Sequence, residues 1–430
     1  MGNKHYKYFY SLCCLFMLLQ SCSVSKQINK QAHKILLQDS VINTGHIGIS
    51  IYEPATNTYW YNYNAEKYFV PASNTKLFTL YAGMKCLGDS LVGLRYSDKF
   101  QVKFTGDPTF LHPDFKKQPV FEFLKTQENV FLDPGLKGGG GYGIGWAFDD
   151  YLETFTPTAN SSPIYGNLIT VKWVSKDSVT VSPKLFDRLA TKQGTMKNGF
   201  DVFKDIYDNH LRISAGDIKI QKLPFSPFSN DVIELLLDTL PNLKFFFTSY
   251  LKNADYKILH SQPTDSVLTP MMHNSDNFFA EQTLLMVSNE HLGYMNDEAI
   301  IDTLLKTDLK DVPQQPNWVD GSGLSRYNLF TPQSFVYILN KMKNEFGLER
   351  LKTILPTGGQ GTLKNYYNSD SSFIYAKTGS LSNQITLSGF LITRQNKLLV
   401  FSLLTNNAMG DGWKVRRAYE LFLKGIRDKY

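Results

Sequence analysis

The sequence predicts an α+β fold: one antiparallel sheet of five strands, flanked by helices and interrupted by a large, mainly β insertion. Three observations carry this prediction. Two strand-like runs near the start, HIGISIYE and TYWYNYN, are joined by the turn PATN. Three more, SSFIYAKTGS, QITLSGFLIT and LLVFSLLTN, follow one another with short connections near the end. Between the two groups, from Tyr96 to His260, the chain is richer in Gly, Pro, Asp and aromatics, with short strand-like pieces such as LITVKWV and SVTVSP.

The chain has 430 residues, 42% of them hydrophobic and 20% charged, enough for a core and for two or three domains. Its net charge of +6 is modest and its basic residues are scattered, which argues against a nucleic-acid surface. Residues 1–21 read as an export signal. Lys4 and Lys7 precede an apolar run from Tyr8 to Leu19 that is too short to span a bilayer comfortably. The run ends in Leu19-Gln20-Ser21-Cys22, which resembles the lipobox of bacterial lipoproteins and implies lipidation of Cys22. An uncleaved membrane anchor is the other reading, and both place the remainder outside the cytoplasm. Cys13 and Cys14 lie in the signal, so Cys86 is left without an internal disulfide partner and is expected to be a small buried apolar residue.

The elements follow in order. Ile28, Ala32, Ile35 and Leu36 fall at helical spacing after the anchor. The first two strands come next, and then a helix opened by Pro71, with Leu77, Phe78 and Leu80 on its apolar face. Beyond the last three strands, a helix runs to the terminus with Val415, Ala418, Leu421, Phe422 and Ile426 toward the core. Residues 22–95 and 261–430 are therefore expected to form one discontinuous domain, with 96–260 inserted. Within the insertion, Gly138-x-Gly140-x-x-Gly143 formally matches a dinucleotide fingerprint. It lacks a βαβ frame and a suitably placed acid, so it reads as a loop.

Three short motifs carry the chemistry. Ser73 and Lys76 form a Ser-x-x-Lys pair. Alone this is weak, because about two such pairs are expected by chance from ordinary composition, and Ser23/Lys26 and Ser249/Lys252 are decoys. Ser275-Asp276-Asn277 and Lys377-Thr378-Gly379 complete an ordered set that is the signature of penicillin-binding proteins and class A β-lactamases. A serine hydroxyl needs a neighbour to accept its proton. Lys76, one helical turn away, can do so only if neutral, and a dry site and a second ammonium at Lys377 would both favour that. Ser275 offers a proton relay toward a leaving amine. Asn277 offers an amide able to hold Lys76 on one side and a substrate amide on the other. Lys377 and the Thr378 hydroxyl suit a substrate carboxylate, and Gly379 would let a substrate backbone lie against the strand. Backbone N–H groups of Ser73 and Ser380 are the candidates for an oxyanion hole.

On these motifs the chain resembles the class C low-molecular-mass penicillin-binding proteins, the D-alanyl-D-alanine carboxypeptidase/endopeptidase (DacB-like) family. Further stretches agree: FTGDPTF, GWAFDDY, IYGNLITV, DGSGLSRYN from Asp320 and LPTGGQGTL from Leu355. The 198 residues from 77 to 274, between the first two motifs, match the family's inserted domains. The resemblance implies a penicillin-binding-protein-like catalytic domain that acts on peptidoglycan stem peptides. Ser73 would form an acyl-enzyme, which β-lactams would mimic covalently. It implies no cofactor and no nucleic-acid partner, and the eight histidines show no metal-ligand spacing. With the lipid anchor, it implies a cell-envelope location facing the periplasm, at the outer rather than the inner membrane. Asp149 and Asp150 match the family's paired acids. Asp150 either faces an amino group of the peptide or serves as a loop cap or surface ion pair, and Arg326 either shapes the site or braces its loop.

Two other functions compete. A β-lactamase or esterase of the same fold would need a fast deacylating group, and no glutamate sits in an obvious equivalent of the class A arrangement. A non-catalytic β-lactam or muropeptide receptor would not need the whole proton relay.

Overall fold

The computed structural model describes residues 24–132, 141–175, 178–193, 201–214, 219–226, 231–247, 255–368 and 371–430. The signal segment, Cys22, Gly138, Gly140 and the Ser249/Lys252 pair lie outside the described residues. Among the described residues, no helix is long and apolar enough to cross a membrane.

The catalytic sheet joins the two ends of the chain. Its strands are β1 (His46–Glu53), β2 (Thr58–Tyr63), β3 (Ile374–Leu381), β4 (Gln384–Ile392) and β5 (Leu398–Asn406). They lie in the order β3-β4-β5-β1-β2, every neighbouring pair antiparallel. Side chains of a strand alternate between faces, so one strand feeds two cores. Leu399, Phe401 and Leu403 of β5 enter one hydrophobic cluster, while Val400 and Leu404 enter another.

The first face is covered by the terminal helices. α1 spans 24–32 and continues into a wider turn at His33–Leu37, burying Ile28, Ala32 and Leu36. Against the other face lie α2 (Lys76–Cys86), α3 (Asp265–His273), α4 (Asn277–Leu292) and α5 (Pro332–Phe346). α2 is buried on all sides, the pattern of a central helix. Cys86, at its end, is only partly buried against this core, and burial pushes its thiol up to about 11.

The last helix, α6 (Gly412–Lys429), buries Val415, Ala418, Tyr419, Phe422, Leu423 and Ile426. Leu421, expected on that face, is 62% exposed. The buried positions recur at three and four residues. That repeat puts Tyr419 and Leu423 inside and turns Leu421 toward solvent.

The insertion has its own core, in which Leu94, Val102, Val130, Trp173, Phe186 and Leu235 pack together. Around it stand a five-stranded sheet and two three-stranded sheets. LITVKWV and SVTVSP become the paired strands Leu168–Ser175 and Ser178–Ser182. The five-stranded sheet includes Ser90–Tyr96 paired with Lys257–Pro263, so the bounds expected at 96 and 260 fall inside paired strands. Leu91 packs in the catalytic core and Leu94 in the insertion core, which moves the entry boundary a few residues earlier. A composition shift marks where polar loops begin, whereas the true boundary lies where burial changes partner.

Phe422→Ala should therefore cost about 3–5 kcal/mol in urea unfolding. Leu421→Ala should stay within about 0.5 kcal/mol of the parent. Equal losses would contradict this orientation of α6.

Candidate active site

Ser73 lies in a 3-10 turn, Ala72–Thr75, that runs directly into α2, rather than in the first turn of the α-helix. This tighter winding has three residues per turn and stacks positions i and i+3. It brings Lys76 Nζ to 3.1 Å from Ser73 Oγ. Lys76 has no solvent exposure. Its other contacts are Asn277 Oδ1 at 2.6 Å and the Ser322 carbonyl at 2.7 Å.

These three contacts differ in kind. An amide oxygen and a carbonyl can only accept hydrogen bonds, whereas a hydroxyl can also donate. A neutral amine gives its two N–H groups to Asn277 and Ser322, which leaves its lone pair for the Ser73 hydroxyl. Burial lowers the Lys76 pKa to about 8, against the opposing charges of Glu281, Asp320 and Asp276. The repulsion expected from Lys377 is not among the causes of this shift. Lys377 is itself held well below its ordinary value by burial and then by Lys76.

α4 sets the partners of Lys76. Asp276 caps the helix, accepting from Phe279 N–H at 2.9 Å, and Asn277 follows at its first position. Ser275, just before the cap, has φ 58°, a left-handed conformation that few non-glycine residues adopt. It receives Lys377 Nζ at 2.8 Å, and that amine also donates to the Thr378 carbonyl at 2.7 Å. One N–H of the Asn277 amide donates to the Phe155 carbonyl of the insertion at 2.8 Å, a partner the sequence did not suggest.

β3 is the edge of the sheet beside the nucleophile. A Cβ at Gly379 would collide with Thr386 Oγ1 and lie 2.7 Å from the Pro71 carbonyl and 3.0 Å from Ser73 N. The missing side chain thus lets the strand reach the nucleophile turn, a closer constraint than the substrate backbone it was expected to admit. Ala376 N–H points off the free edge to the Pro356 carbonyl at 3.0 Å. The two-residue period of an antiparallel strand sends the N–H groups of Thr378 and Ser380 the same way. Lys377 and Gly379 face the nucleophile. Thr378 and Ser380 sit on the other face, where Thr378 lines a small cavity with Arg416 and Tyr419.

Several participants have no motif of their own. Asn74 is fully buried; with its amide nitrogen toward the Lys377 carbonyl it donates at 2.8 Å and accepts from Ser388 Oγ at 2.7 Å. Glu281 accepts from Gly321 N–H at 2.9 Å and Ser322 N–H at 2.8 Å, which aims the Ser322 carbonyl at Lys76. Burial and then Asp320 raise the Glu281 carboxyl to about 8. Asp320 collects Gly323 N–H, Ser325 N–H, Asn328 Nδ2 and Trp146 Nε1, all between 2.6 and 2.9 Å. Glu281 lies four residues beyond Asn277, the spacing that puts two side chains on one helix face, and that was the available signal. Asp150 is half-buried in the insertion; burial raises it and the charge of Asp149 adds, while Arg326 pulls it down. The Arg326 N–H also anchors its loop on the Gly145 carbonyl at 3.2 Å.

The arrangement brings together a serine hydroxyl, a buried lysine amine, a second hydroxyl and a glycine-cleared strand edge, parts that acyl transfer can use. Comparisons with known proteins agree. The model of the D-Ala-D-Ala carboxypeptidase 3 (S13) family matches residues 28–198 and 254–424. The D-alanyl-D-alanine carboxypeptidase DacB of Haemophilus influenzae is 24% identical over 405 residues, 80% of this chain and 82% of its own length. Carboxypeptidase DacB of Mycolicibacterium smegmatis is 33% identical over 163 residues, 35% of each chain. The crystal structure of penicillin-binding protein 4 (dacB) from Haemophilus influenzae shares the fold. It has a TM-score of 0.71 at 20% identity, covering 93% of this chain and 98% of its own. The same protein complexed with a β-lactam gives a TM-score of 0.68 at 18% identity, over 94% and 99%. The family match spans both halves of the catalytic domain and the first part of the insertion, and the chain belongs to the D-Ala-D-Ala carboxypeptidase 3 (S13) family.

Proposed function

We propose that this chain is a serine D-Ala-D-Ala carboxypeptidase and/or endopeptidase in which Ser73 is acylated by peptidoglycan stem peptides and by β-lactams. The observation that carries the reading is the set of contacts around Lys76, which reserves the lone pair of its amine for the Ser73 hydroxyl. Lys76 takes the proton as Ser73 Oγ attacks the carbonyl carbon of the penultimate D-alanine. The backbone N–H groups of Ser73 and Ser380 receive the oxyanion. The C–N bond then breaks as Ser275 hands its hydroxyl proton to the leaving amine and takes a proton in turn from the Lys76 ammonium, which leaves Lys76 neutral again. The Ser275 oxygen accepts from Lys377, which frees its own O–H to donate outward. Water cleaves the ester and restores Ser73. The second N–H of Asn277 is available to a substrate carbonyl, and Asp150 stands at the insertion side for an amino group of the stem.

The family places the activity in the cell envelope. The finer location we propose is a lipid anchor on Cys22 after removal of residues 1–21, at the outer membrane, with the catalytic domain in the periplasm. The motif Leu19-Gln20-Ser21-Cys22 supports it.

Two measurements check this reading. Fluorescent penicillin should give a stable adduct on the purified protein that Ser73→Ala abolishes. Release of hydrolysed drug within the chase would instead indicate a β-lactamase, and no adduct would refute the site. The acylation rate should also follow the neutral fraction of Lys76. It should be half-maximal near pH 8 and fall about tenfold per unit below that, because protonation removes the base. Lys76→Arg, charged at every working pH, should lower acylation by about 10²–10⁴. A flat profile from pH 6 to 9 would contradict Lys76 as the base.

A further inference from the structure

The proposed peptidase reading leaves one chemical requirement open, and this inference rests on that reading. The substrate ends in a carboxylate that needs a cation, and Lys377, the residue expected to supply it, is committed elsewhere. Lys377 is fully buried, with its amine on Ser275 Oγ and the Thr378 carbonyl. It also lies on the nucleophile face of β3.

A second cation stands on the other face, next to the exposed end of the strand. Arg416 of α6 donates from Nη2 to Ser380 Oγ at 2.7 Å. Ser380 is exposed, and its N–H leaves from the free edge of β3. Arg416 lines the small cavity that holds Thr378. It also lines a solvent-open pocket of about 540 Å³ that holds Ser380, Asn383, Gly410 and Gly412. It therefore spans the interval between Thr378, whose hydroxyl was expected to bind the terminal carboxylate, and Ser380.

Arg416 also differs from its neighbours on α6. Arg417 and Lys424 pair with Glu420, and Arg427 pairs with Asp428. Among the described residues, no carboxylate lies within ion-pair distance of Arg416. With Nη2 held by the Ser380 hydroxyl, the rest of the planar fork remains for an anion, and a guanidinium fits a carboxylate through two parallel N–H bonds.

We propose that Arg416 is the specificity residue for the free terminal carboxylate of the substrate, oriented for that task by Ser380.

The test compares two substrates, an N-acylated tripeptide ending in D-alanyl-D-alanine and the same peptide as its C-terminal carboxamide. The parent enzyme should prefer the acid. Arg416→Ala should raise KM for the acid about tenfold to a hundredfold, with kcat little changed and the carboxamide unaffected. Arg416→Lys should restore part of the preference, since it keeps the charge and loses the fork. Ser380→Ala should reduce the acid-to-amide ratio less than Arg416→Ala does, and it serves as the readout if the arginine variant does not fold. If the acid-to-amide ratio is unchanged in Arg416→Ala, or acid and amide fall together, the role of Arg416 is refuted while the peptidase reading stands. A parent enzyme that cleaves neither peptide and binds no penicillin would refute both.

Discussion

A lysine with no access to solvent is the constraint on which this site depends. Taking an ammonium out of water costs several kcal/mol, and removing a partner from a buried charge costs more. The fold answers in two ways. It lowers the Lys76 pKa to about 8, so the neutral form is within reach, and it supplies three polar partners at hydrogen-bond distance. Those partners come from the nucleophile turn, from α4 and from the loop that starts at Asp320. A shift in any of the three removes a partner from the buried amine. Burial of α2 on all sides follows, because a helix with an exposed face would let water reach the amine.

α4 is the hub of this arrangement. Its residues Asn277, Glu281 and Gln282 point to three different parts of the protein. Asn277 holds Lys76, and Glu281 holds the backbone of Gly321 and Ser322. Gln282 ties down the insertion through the Gly106 and Asn160 carbonyls, and it accepts from Asn160 N–H at 2.7 Å. The insertion returns to the site twice more, through the Phe155 carbonyl on Asn277 and the Trp146 indole on Asp320. It is hydrogen-bonded to the catalytic machinery at several points. Buried polar networks of this kind stabilise only when every member is satisfied, which makes the insertion part of the site's architecture.

Close backbone approach completes the site. Ala72 has φ 48°, an unfavourable conformation for alanine, on the turn that holds Ser73. Gly323, at φ 80°, lies directly against the Ala72 carbonyl, where a Cβ would collide with it. On the other side, Gly379 allows β3 to reach the same turn. The nucleophile is clamped between two glycines contributed by segments far apart in the chain. A side chain on a turn held this way is fixed in place beforehand, which is the preorganisation that the proposed acyl transfer would use.

Much of this was legible in the chain itself. Period-2 runs at both ends foretold the five strands, and three motifs in fixed order picked out Ser73, Lys76, Ser275, Asn277 and Lys377, which hydrogen bonds link as Ser73–Lys76–Asn277 and Ser275–Lys377. Such signals are local: an apolar alternation or a residue spacing is complete within a few positions. Leu421 was misread because one leucine does not fix the phase of a helix, and the insertion boundary was misplaced because composition marks loops rather than changes in packing partner. Asn74, the Ser322 carbonyl and the Phe155 carbonyl left no local signature, and Glu281 left only its four-residue spacing from Asn277. Their roles exist only where separate segments meet, and two of the contacts use backbone atoms that every residue carries. The depth of burial that brings the Lys76 amine toward neutrality was likewise decided by packing, since desolvation belongs to an environment and to no single residue.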